Sequence, residues 1–310
     1  MSASITLSGA AQQGVSHKIL ATLRRFEIVE VNERLNQRDF FLTIVLNGSA
    51  TEIENSPEYL SLQELAKLFD LKIESAHHHD FPKAKLRTDT FASKKRLIVL
   101  DVDSTLIQEE VIELLANKAG AGAEVARITA AAMSGEMDFA TALDARVKLL
   151  TGLPESVLAE AREEISLTIG ARELIITLKK FGHKVGIVSG GFVDVIEPLA
   201  KELQIDYIRA NKLEVIAGKL TGKLTGAIID RAGKAEALKD FAKSSGVEIS
   251  ATVAIGDGAN DIDMLKIAGI GIAFNAKPIL QTVADISLNS RNLDLALYLI
   301  DLTESELADI

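Results

Sequence analysis

After residue 95 the chain alternates short apolar runs with helical segments, and this alternation limits the fold more than any other feature. The apolar runs have strand length and are rich in valine and isoleucine. They are Arg96–Leu100, Lys184–Val188, Thr252–Ile255, Ile270–Ala273 and Ile286–Leu288. Strands that alternate with helices predict an α/β fold with a mostly parallel sheet, covered by helices on both faces. Ligands bind beyond the carboxyl ends of strands in such sheets, so functional residues are expected there.

One interval is too long for a simple connection between neighbouring strands. Asp101 and Ser189 are 88 positions apart (189 − 101), and nearly all the intervening sequence has a helical pattern. The predicted helices are Glu109–Lys118, Glu124–Ala132, Phe139–Leu150 and Pro154–Ile165. We therefore expect a helical cap inserted at about residues 108–170.

The first 90 residues have a different pattern. The strands predicted there are Ala3–Leu7, Glu27–Asn32, Phe40–Leu46 and Lys72–Ser75, and the helices are Gly14–Phe26 and Leu60–Phe69. This is the βαββαβ order of a small α+β sandwich. The polar segment His77–Ser93 predicts a linker, which divides the chain into units at 1–90 and 91–310. In the second unit, the doubled sequence at Leu220–Gly226 predicts a short hairpin.

Composition excludes several classes of protein. The formal charge of −10 opposes the basic surface that nucleic-acid binding requires. No stretch has the roughly 18 apolar residues of a membrane span, and the first residues lack a signal-peptide pattern. Cysteine is absent, so disulfides, thiolate metal sites and a cysteine nucleophile are excluded. We expect a cytoplasmic protein without nucleic-acid or membrane partners.

Two carboxylates, Asp101 and Asp103, follow the first of the apolar runs. An ionised Asp101 at a strand end can attack phosphorus if a divalent cation offsets the repulsion between the two anions. Asp103 can then protonate the departing alkoxide. Alternatively, the two aspartates only cap the next helix, as Asp, Ser and Thr often do.

Three later segments carry groups that phosphoryl transfer needs. Ser189 and the Gly190 N–H can bind phosphate oxygens, although the Ser-Gly-Gly sequence also suits an ordinary turn. Lys234 can neutralise Asp101 and a transferred phosphoryl group, although a lysine at a helix start is often only a solvated charge. Asp257 offers magnesium a hard oxygen ligand, although its glycine-rich surroundings also suit an Asx turn and a helix cap. Together these segments predict a phosphoryl-transfer site.

The motifs resemble those of the haloacid dehalogenase superfamily over about residues 96–284. The matching segments are D-V-D-S-T at 101–105, S-G-G at 189–191, Lys234 and G-D-G-A-N-D at 256–261. The resemblance implies a Rossmann-like core, the inserted helical cap, Asp101 as nucleophile and Asp103 as general acid and base. It implies Mg²⁺ as cofactor, bound by the Asp101 and Asp257 carboxylates and the Asp103 backbone carbonyl. It also implies phosphate contacts from Ser104, Ser189, Gly190, Lys234 and Asn260, with Asp261 supporting the metal ligands.

Within that superfamily, the serine of the first motif and the helical insertion resemble phosphoserine phosphatases. O-Phosphoserine carries an ammonium and a carboxylate beside its phosphate, so a selective pocket needs an anion and a guanidinium group. The resemblance implies that these are Glu110 and Arg146, and that Met133, Phe139 and Gly191 line the substrate pocket. Read without the resemblance, Glu110 and Arg146 are solvated helix charges.

The first unit resembles an ACT domain, a small sandwich often used for dimerisation and amino-acid sensing. The resemblance lies in the element order, since Ala11-Gln12-Gln13-Gly14 keeps only the glycine of the usual Asp-Arg-Pro-Gly turn. A homodimer through this unit is one expectation, and a plain folding role is the other. For the whole chain, the alternatives are the same chemistry on another phosphoester and a non-catalytic sensor of an amino acid or phosphoester.

Overall fold

The computed structural model describes residues 2–10, 14–35, 39–78, 95–133 and 136–300. The strands in these ranges form one sheet in the order β4-β1-β3-β2-β11-β10-β9-β5-β6-β7-β8. They are β1 Ser2–Ala10, β2 Ile28–Leu35, β3 Asp39–Asn47, β4 Lys72–His78, β5 Leu97–Asp101, β6 Lys184–Phe192, β7 Tyr207–Ile216, β8 Lys219–Thr225, β9 Thr252–Gly256, β10 Ile270–Phe274 and β11 Ile286–Asn289. The α-helices are α1 Val15–Thr22, α2 Ala50–Glu54, α3 Pro57–Leu68, α4 Val111–Lys118, α5 Gly122–Met133, α6 Phe139–Lys148, α7 Val157–Glu163, α8 Ala171–Lys180, α9 Val193–Glu202, α10 Arg231–Ser245, α11 Ile262–Ile267 and α12 Pro278–Gln281.

The centre of the sheet is parallel, as the alternating pattern predicts. β5 pairs with β6 and β9, and β10 pairs with β9 and β11, all in parallel. Every residue of β5, β9 and β10 is buried. The sequences of these strands are continuous apolar runs because helices cover both faces of a parallel sheet. The predicted α/β class with a mostly parallel core sheet is confirmed.

The prediction of a hairpin within Leu220–Gly226 is wrong. That sequence lies mostly in a single strand, β8, which pairs antiparallel with β7. The turn between the two strands is at Ala217 and Gly218, both with left-handed backbone (φ 51° and 71°). The repeated glycines therefore do not mark the turn.

The first unit contains an antiparallel group of strands. β1 pairs with both β3 and β4, and β2 pairs with β3, so the predicted βαββαβ order is present. The additional helix α2 was not predicted because five residues are too few for a helical period, although Ser49 and Glu52 form its capping box. His77 and His78, predicted to begin the linker, instead end β4. The rest of that predicted linker, at 79–93, and residues 11–13 of the compared turn lie outside the described residues.

The two units share the sheet, because β2 pairs in parallel with β11. The Asn289 amide donates to Asn32 Oδ1 across this pair at 2.7 Å. Nearby, His17 Nε2 of α1 lies 2.8 Å from Asp294 Oδ2 of the 3₁₀ segment Leu293–Tyr298. The separate strand patterns did not predict this junction.

Helices α4–α7 occupy the predicted insertion between β5 and β6. At the base of the insertion the outgoing and returning chains are joined, since the Gln108 N–H donates to the Ser166 carbonyl and the Thr168 N–H donates to the Leu106 carbonyl, both at 3.0 Å. Its far side contacts β8 through the Gly152 N–H and the Leu220 carbonyl (2.8 Å). Among the residues described, no helix is long and apolar enough to cross a membrane.

Candidate active site

The carboxyl ends of β5, β6 and β9 lie at the same edge of the sheet because the three strands are parallel neighbours. Each of these ends carries a polar residue. Asp101 is the last residue of β5 and is 3% exposed. Ser189 lies near the end of β6 and is fully buried. Asp257 directly follows β9 and is half-buried. The sheet thus brings together residues that are far apart in sequence.

A π-helical segment, Val102–Leu106, turns the chain sharply after Asp101. Ser104 within it has left-handed backbone (φ 57°), and its hydroxyl donates to Glu110 Oε1 at 2.9 Å. Asp103 Oδ1 accepts the N–H of Val111, the first residue of α4, at 3.1 Å. The helix-capping alternative is therefore partly correct for Asp103, whose second oxygen nevertheless faces the site.

That second oxygen contacts the loop at the end of β6. Asp103 Oδ2 accepts from the Ser189 hydroxyl at 3.2 Å, and Ser189 Oγ accepts the Gly191 N–H at 2.7 Å. A β-carbon on Gly191 would lie only 2.7 Å from Asp103 Oδ2 and 3.0 Å from Ser189 Oγ. Glycine is thus required here for the carboxylate, the hydroxyl and the backbone to lie this close together.

Lys234 lies in the first turn of α10 and has no solvent exposure. Its ammonium is 2.7 Å from Asp101 Oδ2 and 2.7 Å from Asp261 Oδ1. The solvated-charge alternative for this lysine is therefore wrong. Burial alone would lower the pKa of Lys234, but the charges of Asp101 and Asp261 outweigh burial and raise it.

The segment after β9 is held by Asp261, which is also fully buried. Asp261 Oδ2 accepts the N–H groups of Asp257 and Gly258 at 3.2 and 3.1 Å. These bonds form the side-chain-to-backbone turn that the sequence also suggested for this glycine-rich segment. The turn leaves the Asp257 carboxylate directed into the site, 3.5 Å from the Thr105 hydroxyl. Asn260 lies half-buried in the same short 3₁₀ turn.

Residues of the helical cap also lie close to the site. Phe139, the first residue of α6, packs on the β6 loop, where its Cζ would lie 3.1 Å from a β-carbon on Gly190. Arg146 is half-buried and donates to the Ala142 carbonyl (3.2 Å) and the Thr129 hydroxyl (3.4 Å). Met133 ends α5, and its side chain lies outside what the structure describes.

Charged residues of the cap and of the core change one another's pKa values. Burial lowers the pKa of Arg146, while Glu110, Asp103 and Glu113 act to raise it. Glu110 in turn acts on both core carboxylates, since its negative charge raises the pKa of Asp103 and of Asp257. Both side chains are half-buried and close enough to the core carboxylates to act on them, which favours a place in the site over the solvated-charge alternative.

Three carboxylates at the site have raised pKa values. Burial raises the pKa of Asp101 well above its ordinary range. The charge of Asp261 raises this pKa further, and the charge of Lys234 lowers it in part. Burial and the charge of Glu110 raise the pKa of Asp103 to about 7. Burial, Asp261 and Glu110 raise the pKa of Asp257 to about 6. Among the described residues, the site thus holds more carboxylate groups than the buried ammonium of Lys234 can neutralise.

This excess of negative charge fits a divalent cation. Asp101, Asp257 and Asp261 each offer a carboxylate oxygen, and these oxygens lie within 4.8 Å of one another. Both oxygens of Asp261 are already paired, one with Lys234 and one with backbone N–H groups. The oxygens of Asp101 are also paired, with the Val102 N–H and with Lys234, whereas the hydrogen bond described for the Asp257 carboxylate is with the Thr105 hydroxyl at 3.5 Å. Asp257 therefore has the most available oxygens of the three, and hard oxygen donors are those that magnesium prefers.

Two residues that stabilise the site were not among the predicted ones. Thr105, fully buried, donates to Asp257 across the β5–β9 boundary. Asn211 of β7, 1% exposed, bonds to the Gly190 carbonyl. Thr105 lies inside the first motif and could have been found from the sequence, whereas nothing in the sequence around Asn211 distinguishes it.

Comparison with known proteins identifies the family to which the chain is similar. Residues 98–266 match the family model of haloacid dehalogenase-like hydrolases. The phosphoserine phosphatase of Mycobacterium tuberculosis is 56% identical over 213 residues, which are 69% of this chain and 52% of that protein. That of Lactococcus lactis is 50% identical over 207 residues, which are 67% of this chain and 96% of that protein. The chain thus spans about half the length of the first relative and nearly all of the second.

A solved structure supports the same assignment. A substrate-bound phosphoserine phosphatase complex superposes with a TM-score of 0.65 at 44% identity and covers 67% of this chain and all of that one. The predicted resemblance is thereby confirmed for the fold and the family. The chain belongs to the haloacid dehalogenase-like hydrolases.

Proposed function

We propose that this protein is a magnesium-dependent phosphoserine phosphatase that forms an aspartyl phosphate on Asp101 and releases serine and phosphate. The observation that carries the proposal is the buried contact of 2.7 Å between the Lys234 ammonium and Asp101 Oδ2 at the end of a parallel strand. A buried cation at this position holds the carboxylate in place and offsets the charge of an incoming phosphoryl group. The names of the similar proteins support the choice of substrate.

Asp101 is the nucleophile in this proposal. Its Oδ1 accepts the N–H of the adjacent Val102 at 2.7 Å, and its Oδ2 pairs with Lys234. Two fixed contacts leave the side chain little rotational freedom, so its attacking oxygen is positioned before the substrate binds. Lys234 also favours the ionised form that a nucleophile requires, against the burial that raises the Asp101 pKa.

The Asp101 and Asp257 carboxylates and the Asp103 backbone carbonyl are the proposed ligands of Mg²⁺. When bound, the ion supplies positive charge that lets a carboxylate come close to an anionic phosphorus centre. Asp261 supports the site without binding the ion, because its oxygens hold Lys234 and the backbone of the Asp257 loop.

Asp103 is the proposed general acid and base. Its pKa of about 7 makes a protonated and an ionised form both accessible near neutral pH. A protonated Asp103 can donate to the serine oxygen as it leaves, and the resulting carboxylate can then take a proton from the water that attacks the phosphorylated Asp101. Its bond to the Val111 N–H fixes one oxygen, so the other carries the proton.

The cap selects the substrate in this proposal. Glu110 binds the ammonium of O-phosphoserine and Arg146 binds its carboxylate, and Phe139, Met133 and Gly191 surround the carbon skeleton. The electrostatic influence of Glu110 on Asp103 supports a position near the leaving oxygen. A closed cap also keeps bulk water from the phosphorylated enzyme.

The phosphoryl oxygens are bound by the groups around the three strand ends. The proposed contacts are Ser104, Ser189, Gly190, Lys234 and Asn260. Ser104 is bonded to Glu110 in this structure, so substrate binding must redirect its hydroxyl. The 1–90 unit is proposed as an ACT-like regulatory or dimerisation domain beside the 91–310 phosphatase domain, in a cytoplasmic enzyme.

The first experiment measures phosphate release from O-phosphoserine with and without Mg²⁺. We expect metal-dependent turnover in the wild type and a loss of at least about 10³-fold in Asp101→Asn, because the amide is not a nucleophile. Treatment with beryllofluoride and Mg²⁺ should modify Asp101 and no other residue. Turnover by Asp101→Asn at the wild-type rate would refute the mechanism.

Substrate selection is tested on two esters. Arg146→Met and Glu110→Gln should lower kcat/KM for O-phosphoserine by at least about 10-fold more than for p-nitrophenyl phosphate, which has neither an ammonium nor a carboxylate. Arg127→Met is the matched control, since Arg127 lies in the same cap but is exposed and pairs only with Glu124 among the contacts described. Equal losses on both esters would favour a phosphatase for another substrate.

A further inference from the structure

We propose that Asn211 is a positioning residue that fixes the Gly190–Gly191 peptide and, through it, the hydroxyl of Ser189. This inference rests on the function proposed above and adds a residue to its machinery. Asn211 lies in β7, one strand beyond the β6 loop, and is 1% exposed. Its contacts connect parts of the site that the sheet itself does not join.

The sheet ladder is interrupted where the phosphate-binding loop begins. Ser189 is paired with Ala210, but the next pair joins Phe192 to Asn211, so two residues of β6 have no ladder partner. Those residues are Gly190 and Gly191. A bulge of this kind leaves backbone groups unpaired and, with two glycines, free to rotate.

The side chain of Asn211 replaces the missing ladder contact. Its Nδ2 donates to the Gly190 carbonyl at 2.8 Å, and its Oδ1 accepts the Ile229 N–H at 2.8 Å. Because one end of the amide is used as donor and the other as acceptor, only one orientation satisfies both partners. The carbonyl of Gly190 is therefore held in one direction.

Holding this carbonyl also orients an N–H group. The Gly190 carbonyl and the Gly191 N–H belong to the same planar peptide and point in opposite directions. The Gly191 N–H donates to Ser189 Oγ at 2.7 Å, and the Ser189 hydroxyl donates to Asp103 Oδ2 at 3.2 Å. The single proton of Ser189 is therefore directed away from Gly191, to Asp103 Oδ2 in this structure and to a phosphoryl oxygen in the proposed complex.

The same amide holds the other side of the proposed phosphate site. Ile229 precedes Asp230, whose Oδ1 accepts the Gly233 N–H at 2.8 Å and so begins α10, the helix of Lys234. A rotation of the Asn211 side chain would disturb both the serine loop and the start of this helix. Asn211 acts through these groups, and the structure shows no contact between it and the Asp101 carboxylate.

The test is a double-mutant cycle with Ser189. Asn211→Asp keeps the size of the side chain and an acceptor for Ile229 but sets a second carboxylate oxygen against the Gly190 carbonyl. We expect it to lower kcat on O-phosphoserine by about 10- to 100-fold. In a Ser189→Ala background the same change should cost less than about 3-fold, because the hydroxyl that Asn211 orients is gone and the aspartate still accepts the Ile229 N–H.

A matched control separates positioning from general stability. Thr252 is also fully buried and bridges two loops, since its hydroxyl donates to the Ile249 carbonyl at 2.7 Å and accepts the Gly269 N–H at 3.3 Å. It lies at the opposite end of the sheet. Thr252→Val should lower the melting temperature while leaving kcat within about 2-fold of its own parent, whether that parent has Ser189 or Ser189→Ala.

A second variant and a binding assay apply if the first variant does not fold or the wild type has no activity. If Asn211→Asp does not fold, Asn211→Ser takes its place in the cycle, because its side chain is too short to reach both partners. If the wild type cleaves no ester, the proposed function fails, and the cycle is repeated with calorimetric binding of inorganic phosphate in Mg²⁺. Equal losses from the Asn211 change in both Ser189 backgrounds, in either assay, would overturn the positioning role.

Discussion

Replacing Asp257 with asparagine should make the metal-free protein more stable while it removes activity. The amide has nearly the shape of the carboxylate but no charge, so it removes the repulsion from Asp261 and Glu110 and the cost of burying an ion. The structure raises the pKa of Asp257 from its ordinary 3.8 to about 6, with burial as the largest cause. This raised pKa means that the folded state disfavours the ionised form.

The magnitude follows from the pKa difference. One pKa unit corresponds to about 1.4 kcal/mol, so a rise of about two units corresponds to at most about 3 kcal/mol. Because Asp257 is half-buried, we expect roughly half of that, about 1–2 kcal/mol, after solvent screening. The sign depends on pH: a carboxylate with a raised folded pKa destabilises the protein fully above pH 6, and the cost disappears as the pH falls towards 4.

Urea unfolding in EDTA at pH 8 and pH 4.5 measures this effect. Asp257→Asn should gain about 1–2 kcal/mol at pH 8 and less at pH 4.5, and magnesium should stabilise the wild type more than the variant. Asp263→Asn is the matched control, because Asp263 lies near the same loop but its side chain is 39% exposed and pairs with Arg231, which lowers its pKa. If metal-free Asp257→Asn is no more stable than the wild type at pH 8, the argument from crowded carboxylates fails.

Three further changes test other parts of the structure. Asp206→Asn should cost about 1–2 kcal/mol at pH 7 in urea unfolding, because Asp206 binds two lysine ammonium groups and a backbone N–H that outweigh its burial and lower its pKa. The difference between wild type and variant should vanish as the pH falls through that lowered pKa. Gly170→Ala should lower the melting temperature, at a cost of about 2 kcal/mol or more, because Gly170 has φ 79° and a β-carbon would overlap the Asp294 carboxylate. Gly191→Ala should reduce kcat on O-phosphoserine by at least about 10-fold with little change in far-UV circular dichroism, because its β-carbon would displace the carboxylate of Asp103; wild-type kcat in this variant would contradict the tight packing.

The sequence predicted most of the core fold because parallel strands and covering helices leave strong patterns. Buried runs such as β5 and β9 can hardly be read in another way once helices separate them. Sequence patterns did not predict three features correctly: the boundaries of β4, the short helix α2 and the turn before β8. Their positions depend on pairing partners and on single left-handed residues such as Ala217, which local composition does not reveal.

The candidate site was predictable to the extent that its residues lie in contiguous motifs. Asp101 and Asp103 lie together at one strand end, and parallel pairing brings Asp257 to the same edge. The sequence cannot show that Lys234 bridges two aspartates, nor that Asn211 serves the loop of a neighbouring strand. Both facts depend on packing between elements that are distant in the chain, and each residue alone resembles an ordinary polar side chain.

The parallel pairing of β2 with β11 has a consequence for making the 91–310 unit in isolation. A fragment starting at Lys95 would leave Ser287–Asn289 with one side of their backbone unpaired and the apolar Leu288 beside that open border. Exposed strand borders recruit other chains, so the fragment would tend to aggregate unless a solubilising change, such as a lysine in place of Ser287, discouraged intermolecular pairing.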